Sequence, residues 1–144
     1  MLKKRIKYTD YNGVERNEDF YFNLNKAELM EMELTTEGGL AERTQRIIDT
    51  QDTPKIVEMF KDLILRAYGE KSEDGKAFIK KGINGTKLAD RFAQTDAYSE
   101  LFMELVTDAD AAANFVNGII PDDLKVETPV NGIASPNQDP AGAM

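Results

Sequence analysis

Over residues 1–24, β-forming side chains alternate with polar ones, first as Lys4-Arg5-Ile6-Lys7-Tyr8 and again as Asp19-Phe20-Tyr21-Phe22-Asn23-Leu24. A period of two predicts strands, and Asn12-Gly13 between the runs predicts the turn of a hairpin. Parity then chooses the register. A two-residue Asn12-Gly13 turn would set Arg5 opposite Phe20. A three-residue loop, Tyr11-Asn12-Gly13, puts glycine at the left-handed position of a type I turn with a bulge and sets Lys4 opposite Phe20, Arg5 opposite Asp19 and Ile6 opposite Glu18. The longer loop gathers Ile6, Tyr8, Val14, Phe20, Phe22 and Leu24 on one face, with Lys3, Arg5 and Lys7 facing Glu15, Asn17 and Asp19 on the other. A lone hairpin is marginal in water, so this one is expected to pack on helices or on another chain.

After Leu24 the apolar period lengthens to about 3.6, the spacing of an amphipathic helix. Asn25 and Glu28 form an imperfect capping box ahead of Leu29, Met30, Met32 and Leu34, and Glu37-Gly38-Gly39 stops that helix. A second helix is expected from Leu40 to Thr50. Thr53-Pro54 is the clearest start signal, a capping hydroxyl followed by proline at the first helical position, and the third helix runs from there to Gly69. Its stripe of Ile56, Phe60, Leu63, Ile64 and Ala67 faces a core, with Leu65 on the opposite side. Residues 70–85 are polar and punctuated by glycine and read as a loop or short helical turn, with Phe78 and Ile79 as anchors. Three more helices follow: one capped by Thr86 and carrying Leu88 and Phe92, one capped by Thr95 and carrying Tyr98, Leu101, Phe102, Leu105 and Val106, and one opened by Asp108 and carrying Ala112, Phe115, Val116 and Ile119. Gly118 and Pro121 are expected to end the last. The fold class is therefore α+β, mainly α: residues 1–24 a hairpin packed on five to six short helices within 25–121, a single globular domain. Residues 122–144 hold prolines and glycines without periodicity and read as a disordered tail.

Composition narrows the chemistry. The chain of 144 residues has no cysteine and no histidine, which excludes disulfides, Cys/His zinc sites, a catalytic thiol and an imidazole base. Residues 1–94 carry equal numbers of acidic and basic side chains, so the whole net charge of −8 falls beyond them. That balance disfavours nucleic acid as a partner. Residues 71–91 are locally basic through Lys71, Lys76, Lys80, Lys81, Lys87 and Arg91, which suits contact with the acidic end of another copy or simply a solvated surface. No apolar run is long enough to span a bilayer, and Met1-Leu2-Lys3-Lys4-Arg5 leads into no export signal. A cytoplasmic protein without a membrane partner is expected.

Candidate sites are few. Asp10, Asn12, Gly13 and Asp19 align with a calcium loop, yet its first ligand would be Tyr8, and the same segment makes a good hairpin. Asp108 with Asp110, and Asp122 with Asp123, read as helix capping and solvated chain. Asn84-Gly85-Thr86 reads as a turn into a helix and Glu37-Gly38-Gly39 as a helix stop. Glu100 and Glu104 lie at helical spacing with nothing to separate their pKa values. No catalytic, metal or cofactor residue is assigned, and no enzyme is expected. What remains is binding through apolar surface. Met30, Met32, Met59 and Met103 sit in predicted helices, and methionine suits a groove that accepts several apolar shapes, although core filling explains it as well. Met32 and Leu65 point away from the core sides expected for their helices, Met30 with Leu34 and Phe60 with Ile64, so either those helices are buried on two sides or the two residues meet a partner.

The strings Asp10 through Arg16, Asp19 through Leu24, Ala27 through Leu40 and Tyr98 through Pro121 resemble tail assembly chaperones of long-tailed bacteriophages, over residues 3–124. The resemblance implies a largely helical protein, often oligomeric, that coats the aggregation-prone tape measure protein until the tail tube protein polymerises around it. It further implies residence in the host bacterial cytoplasm, absence from the finished virion, and in many members a second, frameshift-extended form whose extension recruits tube subunits. The expected partners are thus the tape measure protein, the tail tube protein and further copies of the chain. Leu29, Met32, Leu65, Phe102 and Met103 are the residues expected to contact the client. Two other functions are carried forward: a structural virion part, such as a head–tail connector or minor tail protein, using the hairpin for subunit contacts, and a small regulatory protein that masks a host factor through its acidic end.

Overall fold

A computed structural model gives the fold and describes residues 1–32 and 39–124. Strands β1 (Leu2–Thr9) and β2 (Glu15–Phe22) form the hairpin. Lys4 pairs with Phe20, Arg5 with Asp19 and Ile6 with Glu18, the register that parity selects. The turn is closed by Asp10 N to Val14 O and Gly13 N to Asp10 O, both at 2.9 Å, with Gly13 at φ 80°. Glycine takes this left-handed conformation at no steric cost, which is why the three-residue loop closes here. The Asp10 carboxylate finishes the turn: Oδ1 accepts the amides of Asn12 and Val14, and Oδ2 accepts Arg16 Nε at 2.6 Å. Those bonds, Arg16 first, hold its pKa below the usual carboxylate value. Tyr8 Oη donates to Glu18 Oε1 at 2.6 Å, and this bond with burial pushes the phenol up to about 12.

The helices are α1 (Lys26–Glu31), α2 (Gly39–Asp49), α3 (Thr53–Ala67), α4 (Leu88–Phe92), α5 (Asp96–Thr107) and α6 (Ala109–Ile119). The hairpin's inner face meets them through Ile6, Phe22 and, just past β2, Leu24, which are 5%, 0% and 1% exposed. Phe60, Ile64, Leu101, Val116 and Ile119 complete the centre of the core. Phe92 binds the layers together, its ring stacked on Tyr68 at 4.2 Å and within 6 Å of Phe20, Phe22 and Tyr98. Backbone bonds from Asn23 N to Ala67 O and from Leu24 N to Ile119 O pin the chain leaving the hairpin to the ends of α3 and α6.

Several expectations change. Val14, expected on the buried face, is 50% exposed, because it belongs to the loop at the hairpin tip. Residues 70–85 are no plain loop: β3 (Tyr68–Lys71) pairs with the end of β2, β4 (Phe78–Ile79) pairs with β3, and the sheet has the order β1-β2-β3-β4. Gly69 does not terminate α3 but lies in β3, where an added Cβ would stand 2.5 Å from Phe78 Cε2 and 2.8 Å from Ile79 O. Gly118 does not terminate α6 either; its missing side chain lets Leu2 approach, whose Cδ1 would be 2.8 Å from a Cβ. The cap of α3 is Asp52, whose carboxylate accepts Lys55 N, so Thr53 is already helical. Thr86 does not cap α4, since Lys87 occupies that position without a side-chain bond. Around α1 the capping box is complete, with both Asn25 and Glu28 bonds made. Its buried residue is Leu29, while Met30, expected on the core side, is 68% exposed. The expected stop at Glu37-Gly38 and the position of Leu34 lie outside the described residues, as does the expected disorder of the tail beyond residue 124. Asp122–Leu124 form a 3-10 turn, with Asp123 bound to Lys26 at 2.7 Å and Leu124 against the core.

Candidate functional site

A groove of about 820 Å³ lies on the side of α3 that carries Leu65, bordered by α1 and by the segment from β4 to α4. Its apolar lining is the partly exposed Met32, Leu65 and Tyr68, backed by the buried Leu24 and Ala89. Charged side chains crowd around them: Glu28 and Glu31 from α1, Glu58, Lys61, Asp62 and Arg66 from α3, and Lys80, Lys81, Lys87 and Asp90 from the β4–α4 segment. Acidic and basic groups are equal in number, so the groove carries no net field to attract a simple ion.

The periodicity of α3 explains half of this site. Phe60, Leu63, Ile64 and Ala67 turn toward the core, and Leu65 falls outside that stripe while keeping partial contact with it. Met32 arrives as the cap at the C-terminal end of α1. Leu65 lies off the core stripe as expected, whereas Met32 does not leave the core side: with Leu29 and not Met30 turned inward, Met32 follows on the buried side and packs against the core's edge, and the fold brings both residues to one groove.

The other half is organised by Lys80. Its Nζ donates to Asn23 O at 2.8 Å, to Glu28 Oε2 at 2.5 Å and to Arg66 O at 2.7 Å. One ammonium thus uses all three of its donors on three separate segments. Glu28 answers with both oxygens, one to Lys80 and one closing the capping box on Asn25 N. Asp62 and Arg66 satisfy each other at 2.8 Å. Lys81 and Lys87 differ, for they face each other across a β-bridge, both exposed, with no acidic partner among the described residues.

The remaining expected contact residues lie elsewhere. Leu29 is 1% exposed and belongs to the core, because the α1 axis turns it, and not Met30, inward. Phe102 is half-buried on α5 beside Tyr98, with ring centroids 5.9 Å apart, and Met103 is 54% exposed on the same helix; neither lines the groove. The sequence marks Lys80, Lys81 and Lys87 only as part of a local basic run suited to another copy's acidic end or to solvent, and gives no sign of the separate place each takes at this groove. No group of three or more acidic side chains among the described residues is placed to hold a metal ion. Both oxygens of Asp10 are committed to the hairpin turn, which occupies the would-be calcium segment. Among the described residues no helix is long and apolar enough to cross a membrane.

Comparison with curated proteins finds no match, and comparison with solved structures finds none. A model of the family described as phage tail assembly chaperone matches residues 1–140, nearly the whole length. On that match the chain belongs to the phage tail assembly chaperone family.

Proposed function

We propose that the protein seats amphipathic helices of the tape measure protein in the α1–α3 groove, keeps that client from self-association, and helps bring tail tube subunits to it. The observation that carries this reading is the convergence of Met32 and Leu65, from two helices, on one open groove with a charged rim. An apolar floor inside a polar rim is what a helix with one greasy face requires. Methionine on the floor adapts to successive, unlike helical turns of a long client. Phe102 and Met103 offer a second apolar contact on α5. Each site is small, so the affinity of one copy is low, and several copies along one client supply avidity. In this reading the protein acts in the host cytoplasm by binding alone, transforms no substrate, and is left out of the finished particle.

The test is co-expression with a fragment of the tape measure protein. The fragment is expected in the soluble fraction with the unaltered chain and in the pellet with the double variant Met32→Glu, Leu65→Glu, checked to be folded by circular dichroism. A fragment that pellets alike with both chains, or stays soluble alike with both, overturns the groove as the client site. A second reading, a structural part of the virion, draws on strand β1, which pairs along one side only among the described residues. Mass spectrometry of finished particles separates the two, since a structural part is present in stoichiometric amount and a chaperone is absent.

A further inference from the structure

We infer that the turn between β4 and α4 is a client-selecting element, and that it favours an amphipathic helix bearing carboxylates along the edge of its apolar stripe. This rests on the groove reading above and adds to it which charge pattern the groove accepts.

Lys81 and Lys87 are not loose surface lysines. The backbone around them closes twice, Gly82 N to Thr86 O and Leu88 N to Lys80 O, each at 2.9 Å. The tip is the same kind of tight turn as the main hairpin, with Gly85 N on Gly82 O and Gly85 at φ 82°. The base of the turn is tied down by Lys80, whose three bonds anchor it to α1 and α3. Two exposed lysines are therefore fixed at directly paired backbone positions, a placement at which like charges across a strand pair are unfavourable. No acidic side chain among the described residues relieves it, although Asp90 and Glu31 line the same groove. A carboxylate arriving on a partner would. Ile83, fully exposed at the tip of this turn, adds an apolar contact beside the two charges.

Lys80 itself does not join in this selection, since its donors are already used. On the other border α1 contributes only acidic groups, Glu28 and Glu31, and Glu28 is held by Lys80. A client helix with carboxylates on the edge that would meet Glu31 is repelled, and one with carboxylates on the edge that meets Lys81 and Lys87 is drawn in. Charge placement of this kind sets orientation and partner choice more than total affinity.

The experiment uses the full chain and two synthetic amphipathic helices with the same leucine stripe, one with glutamates along a single edge of the stripe and glutamines on the polar face, the other with those two sets of residues exchanged so that composition stays equal. Binding is read by fluorescence anisotropy. The unaltered chain is expected to prefer the glutamate-flanked peptide by about three- to tenfold, the range two exposed ion pairs can supply. The preference should shrink as salt is raised, and the double variant Lys81→Glu, Lys87→Glu should reverse it. Equal binding of the two peptides overturns the inference and leaves the groove reading standing, as does a preference that the double variant leaves unchanged. Failure of both peptides to bind, together with no effect of Met32→Glu, Leu65→Glu on client solubility, overturns the groove reading itself and the inference with it.

Discussion

In the hairpin, Arg5 and Arg16 find partners close by, Arg5 3.1 Å from Asp19 across the strands and Arg16 bridging Asp10 and Glu18, while Lys4 reaches out to Glu104 on α5 at 3.0 Å. In the groove, the acceptors of Lys80 lie 14, 52 and 57 residues away, and Lys81 and Lys87 have no acidic partner among the described residues. The first region uses charge to fix a register that the strand pattern already favours. The second uses one charge to assemble three segments and leaves Lys81 and Lys87 without an acidic partner among the described residues. Local pairing makes a rigid scaffold, whereas unpaired charge beside partly exposed apolar surface is what the proposed client site draws on.

Four substitutions test this contrast. Phe22→Ala should have the largest effect, because Phe22 is fully buried where the hairpin meets the helices and touches the rings of Tyr68, Phe92 and Phe115. A loss of about 3–5 kcal/mol in denaturant unfolding is expected. Lys80→Met comes next. It strips a charged donor from three acceptors, and since water reaches the pair from outside, the expected loss is about 1–2 kcal/mol. Unlike Phe22→Ala, it should also loosen the groove selectively, seen as faster amide exchange at the start of α4 and around Asn23 while the β1–β2 amides keep their protection.

The third test concerns pH. The carboxyl of Asp10 is depressed in the folded state from its ordinary 3.8, so the stabilisation it brings is complete above that value and disappears as pH falls through the folded value beneath it. Asp10→Asn should therefore lower the melting temperature at neutral pH, and its gap from the unaltered chain should narrow below pH 3.8. A gap independent of pH would assign the effect to turn geometry and not to charge. The smallest effect belongs to Arg5→Ala. Its ion pair is exposed on the outer face, and a change within about 0.5 kcal/mol is expected. A larger loss would mean that the hairpin's charges hold the fold and do not merely select its register.

The legibility of the fold follows the same division. The hairpin register, the Thr95 and Asp108 caps and the buried faces of α3, α5 and α6 were readable because each depends on residues a few positions apart. The β3–β4 pair was missed, although Asp74-Gly75 and Asn84-Gly85 repeat the turn signal of Asn12-Gly13. β4 has only two residues, too few for any alternation to show. Gly69 and Gly118 were read as helix stops because glycine's local meaning is a break, whereas here it marks close approach by Phe78 and by Leu2. For the site, the pattern could say that Leu65 lies off the core stripe of its helix, but it placed Met32 by a core side that the structure reverses, and it could not say that the two would line one groove.

By itself, the sequence determined the strand register, the main helical faces and a chemistry without thiol or imidazole, since periodicity, capping and composition are local properties of the chain. Only the tertiary structure decided that Lys80 would clasp Asn23, Glu28 and Arg66, that Leu29 and not Met30 would be buried, and that two apolar side chains would share a groove with a pair of opposed lysines. Those outcomes depend on how separate elements are packed against one another, and a contact across 50 residues or more leaves no period in the sequence to read.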